Sequence, residues 1–96
     1  MAQYELMSII RPDLDDEHVE SAVESLTNIV TQSGGTIEQV DKWGKRHLSY
    51  PIEGHPDGYY VVVSFNGKGP ISNEIMRVLN LTEAVMRSIV VRTDPD

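Results

Sequence analysis

The pattern of apolar and polar residues predicts four strands. Residues 4–10, YELMSII, and 59–65, YYVVVSF, are largely apolar at both odd and even positions. Such runs are typical of central strands that are covered on both faces. The more polar residues 36–50, TIEQVDKWGKRHLSY, predict an edge strand, and residues 85–93, VMRSIVVRT, predict a final strand. The pattern therefore predicts a sheet with the first and third strands at its centre.

Two helices are predicted between these strands. Residues 13–33 carry apolar side chains at the i, i+3, i+4, i+7 spacing, and Gly34-Gly35 supplies a left-handed stop. A shorter amphipathic helix is expected to begin near Pro70. The order strand, helix, strand, strand, helix, strand predicts an α+β, ferredoxin-like split βαβ sandwich. Its four-stranded antiparallel sheet would carry both helices on one face.

The edge strand contains a glycine that predicts a bulge. Trp43 falls on one parity of this strand, whereas Leu48 and Tyr50 fall on the other. One extra residue near Gly44 would bring the three side chains onto the same face. Because glycines inside strands often mark such an insertion, we expect a β-bulge at this position.

The length and composition indicate one globular domain that spans residues 1–96. The apolar content is 40%, and the chain contains no cysteine. Disulfides, thiolate metal sites and a thiol nucleophile are therefore excluded. No apolar run approaches the roughly 20 residues that span a bilayer, and no leader pattern opens the chain. We expect a cytosolic protein without a role in membranes.

The charge balance disfavours long-range attraction to nucleic acid. The chain has 8 Lys and Arg against 15 Asp and Glu, which gives a net charge of −7. Six of these acids lie between Asp13 and Glu24, in the first predicted helix. The acidity is thus concentrated on one solvated helix face. Any binding to RNA must rest on a local cationic patch elsewhere.

Residues 42–47, KWGKRH, form the most concentrated cationic patch. Three of the eight basic residues fall within five positions, beside the tryptophan. Such cations can hold phosphates while an indole packs on a sugar, a base or a protein. A charged edge strand that resists edge-to-edge pairing is the alternative interpretation. Arg87 and Arg92 of the last strand lie on opposite parities, so only one of them can face a given partner surface.

The sequence gives little support for catalysis. His18, His47 and His55 have no second ligand at metal-binding spacing, and no nucleophile motif or phosphate-binding glycine loop is present. Residues 11–14, RPDL, do not match the anion loop of acylphosphatase, which shares the predicted fold. Residues 57–64, DGYYVVVS, match the RNA-recognition motif only in part. We expect no enzymatic activity, no metal and no cofactor.

A longer motif carries a specific resemblance. Residues 44–52, GKRHLSYPI, preceded by Trp43, resemble the hallmark segment of the bacterial small-subunit ribosomal protein S-six family. No general requirement of the fold demands this combination of residues. Further matching segments are Tyr4-Glu5, Arg11-Pro12-Asp13, Gly58-Tyr59-Tyr60 and residues 85–93.

The resemblance implies a non-catalytic structural protein of the small ribosomal subunit. It also implies pairing with the eighteenth small-subunit ribosomal protein and joint binding to the central domain of the small-subunit ribosomal RNA. Ala2-Gln3 and Glu53 stand where many family members have less acidic or more basic residues, so we expect weak direct affinity for RNA. Carried over by position, the RNA contacts would be Lys42, Trp43, Lys45, Arg46, Arg87 and Arg92.

Two other classes of function remain open from the residues alone. A regulatory or oligomerising ferredoxin-like domain would bind a small molecule, form a stable homodimer and melt at a ligand-dependent temperature. An acylphosphatase-like hydrolase would show turnover in a simple assay.

Overall fold

A computed structural model of the chain describes residues 2–68 and 70–94. Within these residues the four strands form one antiparallel sheet in the order β2-β3-β1-β4. Both crossovers contain a helix, which confirms the predicted ferredoxin-like fold with the first and third strands at the centre. The elements are β1 (Ala2–Ile10), α1 (Asp16–Gln32), β2 (Thr36–Ile52), β3 (His55–Gly67), α2 (Ile71–Leu79) and β4 (Val85–Arg92).

The hydrophobic core lies between the sheet and the two helices. Alternate residues of the central strands point toward the helices, and Phe65 stacks on Tyr4 at a centroid distance of 5.4 Å. Each fully buried apolar side chain of this kind contributes about 1.5–3 kcal/mol through removal from water. The core members from the central strands are Leu6, Ile10, Val61, Val63 and Phe65, and those from the helices are Val19, Ala22, Val23, Leu26, Val30, Ile71, Ile75 and Leu79.

Helix α1 begins three residues later than the apolar pattern predicts. Asp15 is the N-cap, and its carboxylate accepts a hydrogen bond from the backbone N–H of His18 at 2.9 Å. Asp13 lies in the preceding loop, where it binds Arg11 at 3.1 Å. The helix ends at Gln32, and Gly34 has a φ of 98°, as the left-handed stop predicts.

Strands β2 and β3 form a longer hairpin than the sequence predicts. The proline and glycine residues of segment 51–57 predict a turn there, and the structure has a shorter one within it, because β2 extends to Ile52 and β3 begins at His55. Glu53 and Gly54 connect them with φ angles of 51° and 81°. Two consecutive residues with positive φ are typical of the type I′ turn, which closes a two-residue hairpin. The tight turn lets the proline-containing flanks continue as strand.

The predicted bulge at Gly44 is confirmed. Lys42 pairs with Val61 and Gly44 pairs with Tyr60, so Trp43 is the extra residue. Gly44 has a φ of 86°, which a glycine adopts without strain. The insertion shifts the alternation of β2 and turns the Trp43 ring onto the ring of Tyr60.

Candidate nucleic-acid interface

The sheet face opposite the helices, here called the open face, has an apolar centre. It contains a depression of about 360 Å³ that is lined mainly by Met7, Ile9, Tyr60 and Ile89. Ile89 is 53% exposed, and Val91 of the same strand and parity is 48% exposed. Scattered exposed apolar residues are normal, whereas a contiguous group with polar neighbours marks an interaction surface.

One side of the open face carries a stack of two aromatic rings and an arginine. The rings of Trp43 and Tyr60 are parallel within 5° at a centroid distance of 6.2 Å. The guanidinium carbon of Arg46 lies 6.0 Å from the centroid of the Trp43 ring, within cation–π range. Trp43 remains 44% exposed. A large ring and a cation are therefore exposed side by side on the open face.

A second aromatic–arginine pair connects the two edge strands of the sheet, β2 and β4. Nη1 of Arg87 donates a hydrogen bond to the hydroxyl oxygen of Tyr50 at 3.1 Å. The Arg87 guanidinium also lies 6.0 Å from the centroid of the Tyr50 ring. Tyr50 is 60% exposed, so this pair is open to solvent. The arginine of β4 is thus held over the open face by the end of β2.

A glycine in β3 lets the end of β2 pack onto the open face. A Cβ atom at Gly58 would lie 2.3 Å from Cγ2 of Ile9 and 3.6 Å from a methyl group of Leu48. Leu48 is buried in this space although most of β2 is exposed. As the bulge predicts, Trp43, Leu48 and Tyr50 therefore share the open face.

The six residues predicted to contact RNA do not form one patch. Strand residues alternate between the faces, and the bulge at Trp43 shifts this alternation so that Trp43 and Arg46 both lie on the open face. Arg87 of β4 lies on the open face as well. Lys45 pairs with Tyr59, which packs against the core, and therefore lies on the helix side. The helix-side residues of the predicted set are Lys42, Lys45 and Arg92.

Two of the helix-side cations already contact a carboxylate. Nζ of Lys42 lies 2.8 Å from Oε1 of Glu20 on α1, and Nε of Arg92 lies 2.9 Å from Oδ1 of Asp94. Arg87 pairs with Ile9 on the open face and Arg92 pairs with Tyr4 on the helix side. This confirms that the two arginines of β4 face opposite ways.

The open-face arginines differ in electrostatic environment from the arginines elsewhere. Arg77 binds Glu74 at 2.6 Å, and this hydrogen bond lowers the pKa of the Glu74 carboxyl. Arg11 binds Asp13, whose pKa is lowered by that hydrogen bond. Over residues 2–68 and 70–94, no carboxylate lies within ion-pair distance of Arg46 or Arg87. Their positive charges remain available to a partner.

The histidines lie outside this arrangement of arginines and rings. His18 contacts Asp15 at 2.6 Å and His47 contacts Asp57 at 3.1 Å, both as isolated pairs. In the part of the chain that the structure describes, no group of three His, Cys, Asp or Glu residues is placed to hold a metal ion. No helix among the same residues is long and apolar enough to cross a membrane.

Sequence reasoning missed the apolar centre of the open face. The signal was present in β1, where both parities are apolar although the helices cover only one face. The apolar run predicts that Met7 and Ile9 are covered, whereas each lines the open depression.

Comparison with known proteins gives a consistent result along the whole chain. The family model described as Ribosomal protein S6 matches residues 3–92. The small ribosomal subunit protein bS6 of Thermoanaerobacter pseudethanolicus is 42% identical over 94 residues, which cover 98% of this chain and 99% of the relative. The protein of the same name from Paenarthrobacter aurescens is also 42% identical, over 98% of this chain and 93% of its own.

Solved structures agree with the sequence relatives. The crystal structure of 30S ribosomal protein S6 from Thermotoga maritima superimposes with a TM-score of 0.91 and 29% identity, and covers 96% of this chain and 87% of that one. An Arabidopsis thaliana protein superimposes with a TM-score of 0.56 and 10% identity over 100% of this chain and 96% of its own. The second likeness reflects the fold alone.

Proposed function

The chain belongs to the ribosomal protein S6 family, and from that premise we propose that it binds the central domain of small-subunit ribosomal RNA together with the eighteenth small-subunit ribosomal protein. As a member of this family it is a structural protein of the small subunit in the cytoplasmic ribosome, and it is not an enzyme. Its contribution to the ribosome is therefore structural and depends on the molecules that it binds.

The observation that carries the proposal is the composition of the open face. Tryptophan, tyrosine and arginine dominate the energetics of protein interfaces, and methionine is enriched there. The depression beside Met7, Ile9 and Ile89 offers apolar area, which a protein side chain can fill and a phosphate cannot. We assign this apolar centre to the protein partner.

The cations around this centre are assigned to the RNA. Arg46 and Arg87 stand beside exposed aromatic rings, an arrangement that suits a phosphate and a neighbouring base or sugar. Lys45 adds an exposed cation on the other side of the same edge strand. The full proposed set remains Lys42, Trp43, Lys45, Arg46, Arg87 and Arg92.

Lys42 and Arg92 are expected to be the weaker contacts of the set. Each would have to exchange or share a carboxylate partner before it could neutralise a phosphate. The salt bridges are exposed, so such an exchange costs little, but the net gain is also small.

The net charge of −7 explains why a partner is required. The whole protein repels phosphate at long range, so its few free cations act only after another molecule has brought it close. A basic partner supplies that attraction, and the opposite charges of the two proteins accelerate their encounter. Binding to RNA is therefore expected to be cooperative.

Charge reversal in the cationic segment tests the RNA assignment. Lys45→Glu with Arg46→Glu should weaken RNA binding by the protein pair at least tenfold, because two phosphate contacts become repulsive. The variant Lys68→Glu with Arg77→Glu has the same net charge change away from the open face and serves as the control. Binding would be measured by fluorescence anisotropy with a labelled central-domain fragment.

The test compares the loss of RNA affinity in these two variants. A large loss for the first and a small loss for the second supports the local patch. Equal losses would mean that only net charge matters and would reject the assignment. Circular dichroism of both variants establishes that the fold is retained.

A further inference from the structure

The end of strand β2 leaves the regular ladder with β3. Four residues of β2, 48–51 with the sequence LSYP and here called the arch, lie opposite the single residue Pro56 of β3. Pairing resumes at Ile52, next to the hairpin turn. Because Pro51 has no backbone N–H, its place in a bulged segment costs no hydrogen bond. The arch therefore contains more chain than the ladder requires, which releases its side chains from the regular positions of an edge strand.

The arch is held in place at both of its ends. Leu48 is buried above Gly58, and one of its methyl groups lies 3.6 Å from the position that a Cβ atom of this glycine would take. At the other end, Pro51 restricts the preceding residue, Tyr50, to extended backbone conformations. The backbone that carries the Tyr50 ring is therefore constrained before any partner binds.

Tyr50 reaches an arginine on the opposite edge strand. Strands β3 and β1 lie between β2 and β4, so the edge strands are separated by three strand spacings, roughly 14 Å. The Tyr50 hydroxyl nevertheless accepts a hydrogen bond from Nη1 of Arg87 at 3.1 Å, and the guanidinium lies 6.0 Å from the ring centroid. The cavity of about 210 Å³ beside the arch has further walls from Ile9 of β1 and Tyr60 of β3. The contact thus spans the whole open face.

Arg87 keeps its charge and most of its donors in this contact. A guanidinium has several N–H donors, and the Tyr50 hydroxyl accepts from one of them. Over the described ranges 2–68 and 70–94, no carboxylate lies within ion-pair distance of Arg87. Because tyrosine is neutral, it orients the guanidinium without cancelling its charge. The arginine can therefore still bind an anion bidentately.

We propose that Tyr50 is a positioning residue for RNA binding, which holds the guanidinium of Arg87 over the open face before a phosphate of the RNA arrives. The inference rests on the proposed function, in which Arg87 contacts the RNA. A free arginine side chain loses rotamer freedom when it binds, and this loss corresponds to about two- to tenfold in affinity. An arginine that the arch already holds loses less freedom on binding.

The Arg87 guanidinium suits an RNA phosphate better than a carboxylate of the protein partner. A basic partner carries an excess of cations, which repel this guanidinium, whereas every nucleotide of the RNA carries a phosphate. The planar fork of an arginine also matches the oxygen atoms of a phosphate. The orientation that Tyr50 imposes is therefore useful mainly for contact with the RNA backbone.

A double-mutant cycle tests the link between Tyr50 and Arg87. Tyr50→Phe removes the hydroxyl and keeps the ring, and it should lower the RNA affinity of the protein pair about two- to tenfold. Tyr50→Leu removes both contacts and should cost more. In an Arg87→Ala background, Tyr50→Phe should have no effect, because the group that it holds is gone. Tyr59→Phe, which removes a hydroxyl on the helix side, is the matched control. Fluorescence anisotropy with a labelled central-domain fragment measures these affinities.

Salt dependence separates positioning from direct contact with a phosphate. Arg87→Ala should reduce the slope of log affinity against log salt by about one unit, whereas Tyr50→Phe should leave the slope unchanged, since the charge remains. A second readout uses the free protein. The NMR order parameter of the Arg87 Nε–H group should be higher in the wild type than in Tyr50→Phe.

The outcomes distinguish this inference from the proposed function. Full RNA affinity of Tyr50→Phe, or an equal loss with and without Arg87, would overturn the inference and leave the proposed function intact. The same conclusion follows if Arg87→Ala weakens the complex of the two proteins without RNA, measured by isothermal titration calorimetry, because Arg87 would then bind the partner. Failure of the wild-type pair to bind the RNA would overturn both.

Discussion

The two faces of the same sheet differ in how much of their apolar surface is exposed to solvent. On the helix side, Leu6, Val61 and Phe65 are 0% exposed and packed under the helices. On the open face, Ile89 and Trp43 leave about half of their surface in water. Because strand residues alternate between faces, one stretch of sequence builds both. Core residues and exposed residues are therefore separated by a single step along the chain.

The largest difference in the free energy of unfolding is expected between substitutions of Phe65 and of Trp43. Phe65→Ala should lower the free energy of unfolding by about 3–5 kcal/mol, because it leaves a cavity in the core. Trp43→Ala should cost much less, since this ring stacks on Tyr60 at the surface. Urea denaturation monitored by circular dichroism measures both. The reverse order of stabilities would contradict the separation of the two faces.

For RNA binding, Trp43 should be the more important of the two residues. Trp43→Ala is expected to weaken RNA binding by the protein pair under conditions where it remains folded. A Trp43→Phe variant retains a ring and should recover part of the loss. If the alanine variant binds RNA with full affinity, the ring is not part of the interface.

A smaller effect on stability is expected from the contact between Gly58 and Ile9 within the open face. Gly58→Ala should destabilise the protein by about 1–3 kcal/mol, because its methyl group would overlap Cγ2 of Ile9. Combining it with Ile9→Ala should cost less than the sum of the single changes, since the truncation creates room. Strict additivity of the two changes would refute the close contact.

The two classes of cation can be compared with single alanine substitutions. Arg46→Ala should weaken RNA binding by the pair several-fold and reduce the slope of log affinity against log salt by about one unit. Lys42→Ala should change both quantities less, because Glu20 already neutralises this lysine. The loss of that exposed ion pair should cost about 0.2–1 kcal/mol of stability. A Lys42 effect as large as that of Arg46 would contradict the ranking.

The smallest expected effect is the acid sensitivity of α1. The hydrogen bond from the His18 backbone amide lowers the pKa of Asp15 below its ordinary value of 3.8, and the His18 side chain adds to this. The folded state therefore favours the charged carboxylate. The resulting stability is fully present above the ordinary pKa and is lost as the pH falls through the lowered value.

Replacing this carboxylate with an amide isolates its contribution. Asp15→Asn retains a capping side chain but removes the titration, so its melting temperature should fall less between about pH 5 and about pH 2 than that of the wild type. Differential scanning calorimetry over a pH series measures the difference. Parallel pH profiles would show that the cap does not contribute to acid sensitivity.

Much of the fold was predictable because the signals are local. The pattern of apolar residues predicts helix α1 and the central position of β1. One residue type, glycine, predicts the bulge at Gly44. The hairpin was not predicted in full, because Glu53 adopts a positive φ that its residue type rarely shows. Its turn is imposed by the pairing of the two flanking strands.

The candidate site was predictable only in part. The segment around Trp43 stood out by its composition, and the resemblance named Arg87, which the structure places on the same face as Trp43. The division of the cations between faces depends on the bulge and on contacts such as Lys42 with Glu20. Such contacts join residues that are far apart in sequence, so no local pattern reveals them.

Cooperative binding to ribosomal RNA is the central claim, and one titration tests it directly. A labelled central-domain fragment would be titrated with this protein across a salt series, with and without the eighteenth small-subunit protein. We predict tight binding only when both proteins are present, with affinity that falls as salt rises. No binding under any condition, with a partner shown to be folded, would contradict the account and favour a domain that binds a small molecule or itself.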